Sequence, residues 1–475
     1  MRVLAVASEL YPLIKTGGLA DVTGALPAAL KSQGIEVRTL IPGYPAAIRG
    51  LGEPEAVYPW GEARILAGNA GGAEVLLLDA PMLFDRPGGP YTDAAGRDWN
   101  DNWKRFAVLS RCAAEIAAGL LPDWQPDLLH AHDWQAGMAP AYLRHGRAAG
   151  MPAVMTLHNL AFQGQFPPAI FPELGLPSSA FSLEGVEYYG NVGYLKAGLR
   201  YANAITTVSP SYAQEIRTPA FGMGLEGLIN ARGDVLHGIV NGIDTEVWDP
   251  GSDLDLESTY SSRTLQRRQK NRQAIEKRFG LRETSGPLFS VISRLTFQKG
   301  IDMVAALADD LAAAGGSLAV LGSGEPAQEA ALLAAAARNL GRVGVVIGFD
   351  ESLSHLMQGG CDVILIPSRF EPCGLTQLCA LRYGCIPVVT RTGGLADTVI
   401  DANEAALSAG VATGFQFAPL SGLGLRHALA RVLEVWQRPK EWAAMQRQAM
   451  KSDVSWYRSA ARYAGLFRSL ETNKS

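Results

Sequence analysis

Two cations five positions apart, Arg294 and Lys299, bracket a turn in the segment Ser293-Arg294-Leu295-Thr296-Phe297-Gln298-Lys299-Gly300. The segment follows directly on an apolar run, so both heads can reach one diphosphate. Arg offers a planar fork of donors and Lys a point charge. A second segment, Pro367-Ser368-Arg369-Phe370-Glu371-Pro372-Cys373-Gly374-Leu375-Thr376, places a carboxylate just ahead of a Pro/Gly turn. The amides of Gly374, Leu375 and Thr376 then open a helix and can receive phosphate or sugar oxygens. Glu371 is expected beside the reacting sugar, although a carboxylate in that position can also serve as a helix cap.

Three segments in the first half of the chain have the same character. Lys15-Thr16-Gly17-Gly18-Leu19-Ala20-Asp21 combines a mobile cation with a double-glycine turn into a helix. The glycines let backbone amides approach a ligand, and the helix start favours anionic oxygens. The pattern is neither a Walker loop nor a G-x-G-x-x-G fingerprint. His130-Ala131-His132-Asp133-Trp134 closes another apolar run. An H-x-H-D can bind a metal, but no further His or carboxylate clusters with it in sequence. Loop anchoring by His130 is the simpler expectation, with Asp133 and Trp134 available to face a sugar. His158 lies in Thr156-Leu157-His158-Asn159, again immediately after an apolar run. Thr390-Arg391-Thr392-Gly393-Gly394-Leu395 and Gly322-Ser323-Gly324-Glu325 add two further glycine turns.

These segments must be positioned by the elements between them. The chain alternates apolar strand, glycine-containing turn and amphipathic helix. Strands are expected near 3–8, 36–41, 74–78, 127–131, 153–157, 204–208 and 235–240. In the second half they fall near 287–292, 317–321, 343–347, 362–366 and 386–390. Helices are expected over 18–31, 102–118, 303–313, 328–340 and 374–383. The alternation predicts an α/β protein built from parallel sheets covered on both faces by helices. A polar stretch, Asp249-Pro250-Gly251-Ser252-Asp253, breaks the pattern, and a charged helix around 263–278 precedes the next strand. The domain boundary is therefore expected near residue 245, giving domains 1–245 and 246–455. A final amphipathic helix, 456–475, is free to pack back on the first domain. Two such doubly wound domains facing a deep cleft would bring the carboxyl ends of their strands, where open α/β sheets bind ligands, to one place.

The bulk composition narrows the function classes. The 475 residues are 48% hydrophobic and 19% charged, with 52 Gly and 27 Pro, as expected for a multidomain globular chain rather than a disordered or fibrous one. The net charge of −4 leaves no basic excess to neutralise a nucleic-acid backbone, so no nucleic-acid partner is expected. No run approaches the ~20 apolar residues of a membrane span, so no membrane association is expected either. Five cysteines, an odd number with no metal-type pairs, fit a reducing cytoplasm better than a disulfide framework.

The K-T-G-G-L-A-D segment at 15–21, H-A-H-D-W at 130–134, the 293–300 segment and E-P-C-G-L-T at 371–376 together resemble the bacterial glycogen synthase and plant starch synthase family. The resemblance runs in order over essentially the whole chain. It implies a B-type glycosyltransferase fold of two Rossmann-like domains, ADP-glucose as donor, and glycogen or another α-1,4-glucan as acceptor. It also implies transfer with retention of configuration and neither a cofactor nor a required metal. By this resemblance Lys15, Arg294 and Lys299 hold the donor phosphates, aided by the turn of Gly17 and Gly18 and by the Cys373–Thr376 segment. His158 lies at the donor glucose, Glu371 binds its hydroxyls, Asp133 sits near the reaction centre, and Asp21 and Asn241 line the site. One position departs from the pattern: Cys379 stands where an aromatic residue is expected, one helical turn beyond Thr376, with an effect on packing or nucleotide fit. A UDP-glucose-dependent or starch-type synthase, a non-catalytic glucan-binding protein and a pyridoxal-dependent phosphorylase remain as alternatives.

Overall fold

The computed structural model describes residues 1–472, which form two compact units. The first comprises residues 1–241 together with the terminal helix, and the second residues 242–455. Ile243 already belongs to the second unit, because its amide bonds the carbonyl of Val454 at 2.9 Å.

The first unit carries strands β1 (Arg2–Val6), β2 (Glu36–Pro42), β3 (Ala56–Trp60), β4 (Ala63–Ala70), β5 (Ala73–Asp79), β6 (Leu128–His132), β7 (Ala153–Leu157), β8 (Gln165–Phe166), β9 (Glu187–Tyr188), β10 (Asn191–Gly193), β11 (Ala204–Thr207) and β12 (Leu236–Gly238). Nine of them form one sheet in the order β12-β11-β7-β6-β1-β2-β5-β4-β3. β1, β6 and β7 are near-continuous runs of buried residues, as central parallel strands covered on both faces must be. The sheet departs from the all-parallel expectation at one edge, where β4 pairs antiparallel with both β3 and β5. The cause is local. Gly71 and Gly72, at φ +58° and +83°, form a two-residue turn that sends the chain straight back as a hairpin. β8, β10 and β9 make a separate small antiparallel sheet.

The second unit carries β13 (Leu288–Ile292), β14 (Ser317–Gly322), β15 (Val343–Ile347), β16 (Val363–Ile366), β17 (Ile386–Thr390) and β18 (Phe415–Phe417) in the order β15-β14-β13-β16-β17-β18, all parallel. This is the doubly wound 3-2-1-4-5-6 order. In each unit the chain leaves the first strand in one direction and later returns to its other side, so a switch point opens between β1 and β6 and between β13 and β16. Ligands of open α/β sheets sit at such points, and the loops found there are the ones singled out in the sequence.

The terminal helix Tyr457–Thr472 packs on the first unit. Trp456, Ala460, Tyr463, Ala464 and Phe467 are buried with Val3, Val22, Leu26 and Leu30. Ser459 Oγ and Arg462 also donate to the carbonyls of Val240 and Gly238, at 2.5 and 2.8 Å. Each large apolar side chain so buried contributes about 1.5–3 kcal/mol, enough to hold a single helix in place.

Candidate active site

In the first unit the loop after β1 is organised by a buried carboxylate. Glu9 accepts from the Thr16 amide and the Thr16 hydroxyl, both at 2.5 Å, and from the Gly17 amide at 3.3 Å. The Tyr91 hydroxyl also donates to it. One carboxylate thus draws the Lys15–Gly18 turn against a segment more than seventy residues downstream. Gly17 is extended and Gly18 begins the helix Gly18–Lys31 without a side-chain cap, so its first-turn amides are available to an anion. Lys15 pairs with Asp21 at 2.9 Å and sits over the Tyr11 ring. Neither Glu9 nor Tyr91 was expected from the sequence. A lone Glu in an apolar start carries no signal until the fold brings Tyr91 to it.

Across the switch point, β6 is followed directly by Asp133, a non-glycine residue at φ +55°. Its carboxylate accepts from the His158 amide at 2.8 Å, and the Asn159 amide bonds it as well. The loop after β7 is thereby fixed to the end of β6. The ring of His158 bonds that of His132 (Nε2 to Nδ1, 2.9 Å), and His130 bonds Thr156 at 2.6 Å. Burial pushes the pKa values of His130 and His158 down to about 3 and lowers that of His132, so all three are neutral at physiological pH. A neutral His158 with one ring nitrogen occupied keeps the other, Nδ1, for a hydroxyl. The Trp134 side chain is half-buried. It lies among Phe106, Phe166 and Tyr194, at ring separations of 5.0, 5.7 and 6.3 Å. Asn241 closes the unit, only 6% exposed, with a side-chain oxygen that has no partner among the described residues.

Burial raises the Asp133 carboxyl to a pKa of about 7, against the pull of its two amide donors. A carboxyl whose folded-state value lies above its unfolded value of about 3.8 binds its proton more tightly in the native state. Stability from this source is complete below about pH 4 and is lost as pH rises through about 7. Asp133→Asn is therefore expected to flatten the decline in melting temperature between pH 4.5 and 8. A decline of unchanged slope in the variant would contradict this.

In the second unit the loops after β13 and β16 meet at the other switch point. Lys299 Nζ and Glu371 Oε2 form an ion pair at 2.6 Å, with side chains only 17% and 10% exposed. Ser368 Oγ donates to the same carboxylate oxygen at 2.8 Å. The alternative of Glu371 as a cap of the following helix does not hold, since its carboxylate faces Lys299 and Ser368 and the helix has no side-chain cap. Arg294 is exposed and forms no ion pair among the described residues. Two glycines make the close loop packing possible. At Gly300 (φ +70°) a Cβ would lie 2.1 Å from the Pro367 carbonyl oxygen, and at Gly393 (φ +43°) 2.0 Å from that of Glu371.

The helix begins at Thr376, two residues later than expected, with Leu375 at the cap position and no side-chain cap. Gln377 accounts for the shift. Its amide nitrogen donates to the carbonyls of Cys373 and Gly374, both at 2.9 Å, and holds those residues in the turn. Gly374 through Thr376 thus present an open helix start beside Glu371. Cys379 is buried in the main core of this unit with Leu378 and Leu381, so the departure from an aromatic residue is a matter of packing. Among the described residues, the group spaced to share a cation is Asp253, Asp255 and His355, not the histidines of β6. His355 bonds Asp253 at 2.8 Å and stacks on Trp248.

The contacts join Lys15 to Asp21, Asp133 to the His158 loop, and Lys299 to Glu371, while Asn241 lies beyond β12 and Arg294 on the loop after β13 with no hydrogen bond or ion pair to the others among the described residues. Lys15, Gly17, Gly18, Asp21, Asp133, His158 and Asn241 belong to the first unit. Arg294, Lys299, Glu371, Cys373, Gly374, Leu375 and Thr376 belong to the second.

Residues 2–231 match the family model described as starch synthase catalytic domain, and residues 272–449 the model for glycosyl transferases group 1. A glycogen synthase of Mesorhizobium japonicum is 60% identical over 475 residues, with 99% of each chain covered. A glycogen synthase 1 of Rhizobium meliloti is 60% identical over 476 residues at the same coverage. The catalytic domain of starch synthase IV from Arabidopsis thaliana, solved with ADP and acarbose, matches with a TM-score of 0.90 at 30% identity over 99% of each chain. Sucrose-phosphate synthase from Thermosynechococcus elongatus, at 16% identity and a TM-score of 0.61, shares the fold. By these matches over its whole length the chain belongs to the glycogen synthase and starch synthase family and is a glycosyltransferase of the B-type fold.

Proposed function

We propose that the chain transfers glucose from ADP-glucose to the non-reducing end of an α-1,4-glucan such as glycogen, with retention of configuration and release of ADP. The observation that carries this reading is the Lys299–Glu371–Ser368 cluster beside the uncapped helix start at Thr376. It offers a cation and free amides to a diphosphate and a carboxylate to sugar hydroxyls. The family supplies the donor class, and the ADP bound by the Arabidopsis starch synthase supports adenine over uracil.

In this reading Arg294, Lys299 and the amides of Leu375 and Thr376 take up the charge that grows on the diphosphate as the glycosidic bond breaks. Lys15 and the Gly17–Gly18 turn are the phosphate-binding groups of the first unit, with Asp21 orienting Lys15. Glu371 bonds glucose hydroxyls, and a donor hydroxyl is the hydrogen-bond partner that His158 Nδ1 is free to take. Asp133 keeps the His158 loop in place, and Asn241 offers its unpartnered oxygen to the substrate. Attack comes from the face the diphosphate leaves, so the departing phosphate oxygen can take the proton of the acceptor hydroxyl. Positioning and fixed charge suffice for this substitution, and neither a cofactor nor a metal enters the reading. The negative net charge gives no footing for nucleic acid, and no helix among the described residues is long and apolar enough to cross a membrane. We place the chain in the cytoplasm, a reading supported by five buried cysteines that form no disulfide among the described residues.

A competition assay with ADP-glucose and UDP-glucose in the presence of glycogen tests the donor. The expected result is nucleotide release from ADP-glucose at least about tenfold faster, worth roughly 1.4 kcal/mol of discrimination. Equal or faster release from UDP-glucose overturns the assignment.

A further inference from the structure

Three non-glycine residues in the described chain have a left-handed backbone: Asp133, Tyr189 (φ +49°) and Met223 (φ +50°). Such backbones cost of order 1 kcal/mol each and persist where the surroundings impose them, often at binding sites. Asp133 belongs to the candidate active site. The other two lie together, 34 residues apart in sequence (223 minus 189), and both side chains face solvent, 75% and 40% exposed.

Their neighbourhood ties them to the His158 loop. The Met223 carbonyl accepts from Gln163 Nε2 at 3.1 Å and from the Tyr188 hydroxyl at 3.3 Å. The Tyr188 and Tyr189 rings meet edge-on at 4.8 Å, and the Tyr189 ring lies against Gly224. Next to Gln163 stands Phe162, 54% exposed. A short loop therefore begins at His158 and ends in an aromatic residue and an amide that clamps the Met223 turn. Isolated exposed apolar residues need no explanation. A ring and a methionine held outward by left-handed, hydrogen-bonded turns, beside a second exposed ring on the His158 loop, are a different matter.

We propose that Phe162, Tyr189 and Met223 form a platform for the α-glucan acceptor, beyond the glucose unit that reacts. The inference rests on the proposed function, which makes the acceptor a glucan chain. A glucan presents apolar C–H faces ringed by hydroxyls. An exposed aromatic ring covers such a face, and a thioether conforms to its irregular outline. The rigid turns present the rings without an ordering cost on binding. Continuity with the His158 loop gives the platform a direction, from the reacting sugar outward along the chain.

The test uses the full chain with Phe162→Ala, Tyr189→Ala, the double variant and Tyr189→Phe. Migration in native gels containing glycogen reads binding directly. Initial rates at saturating ADP-glucose read the glycogen KM. The double variant is expected to lose gel retardation and to raise the glycogen KM about fivefold to tenfold, the loss of one or two stacking contacts. The KM for ADP-glucose should stay within twofold, and Tyr189→Phe should behave as wild type. Unchanged retardation and glycogen KM in the double variant overturn the platform, as does a Tyr189→Phe variant as impaired as Tyr189→Ala. Should ADP-glucose fail as donor, the gel readout still decides the platform independently.

Discussion

Lys299→Ala is expected to lower kcat with ADP-glucose and glycogen by about 10²–10³-fold and to destabilise the second unit at the same time. The two effects have one cause. Lys299 is the partner of a carboxylate that is only 10% exposed, and removing one member of a buried pair leaves the other uncompensated, at a cost of about 3–5 kcal/mol. In catalysis the same ammonium is asked to stabilise charge that develops on the leaving diphosphate, an interaction worth more in the transition state than in the ground state. Glu371→Gln removes the other charge of the pair. Glutamine keeps an oxygen that can accept from Ser368 and Lys299 but leaves the Lys299 ammonium without its counter-charge, so by the same argument this variant should also destabilise the second unit. Activity of Lys299→Ala within threefold of wild type, in protein shown to be folded, would remove Lys299 from the reaction.

Arg294→Ala carries the second large effect, with the opposite stability signature. Arg294 follows β13 on the same loop but is exposed and has no ion-pair partner among the described residues. Nothing in the fold depends on its charge, so the melting temperature should not move. If its guanidinium grips the departing diphosphate, kcat/KM for ADP-glucose should fall about 10²-fold or more. Arg294→Lys should recover only part, because a point charge cannot reproduce a bidentate fork. Steady-state kinetics beside thermal melts check both halves. A stable, fully active Arg294→Ala would leave Lys299 and the helix amides as the phosphate site.

How much of this was legible beforehand follows from where each signal resides. The strands β1, β6, β7, β13, β14, β16 and β17 are short, mostly apolar runs closed by polar or glycine turns, so their hydrophobic pattern locates them. The hairpin strands β3 and β4 were missed. Ala63–Ala70 is a long stretch of small and apolar residues with an exposed Asn and alternates poorly, and only the Gly71-Gly72 turn betrays it. The loops carrying Lys15, Asp133, His158, Lys299 and Glu371 were found because glycines, cations and carboxylates stand right after those strands. Glu9 and Tyr91 escaped because their meaning exists only once residues 82 apart are brought together. Trp134 packs beside Phe106, Phe166 and Tyr194 yet stays half-buried, and sequence gives no sign of those ring neighbours. Tyr189 and Met223 could not be singled out at all, since backbone handedness is invisible in residue type when the residue is not glycine.

The central claim is that fixed cations and helix amides on this chain drive glucosyl transfer from a nucleotide diphosphate sugar onto a glucan. It is tested most directly by incubating the purified protein with ADP-glucose labelled in its glucose and with glycogen, then counting ADP formed against label incorporated. The account predicts one labelled glucose in glycogen for each ADP released, with the label recovered as maltose by an enzyme that cuts α-1,4 linkages from non-reducing ends. ADP released without incorporation, or label resistant to that enzyme, would contradict it.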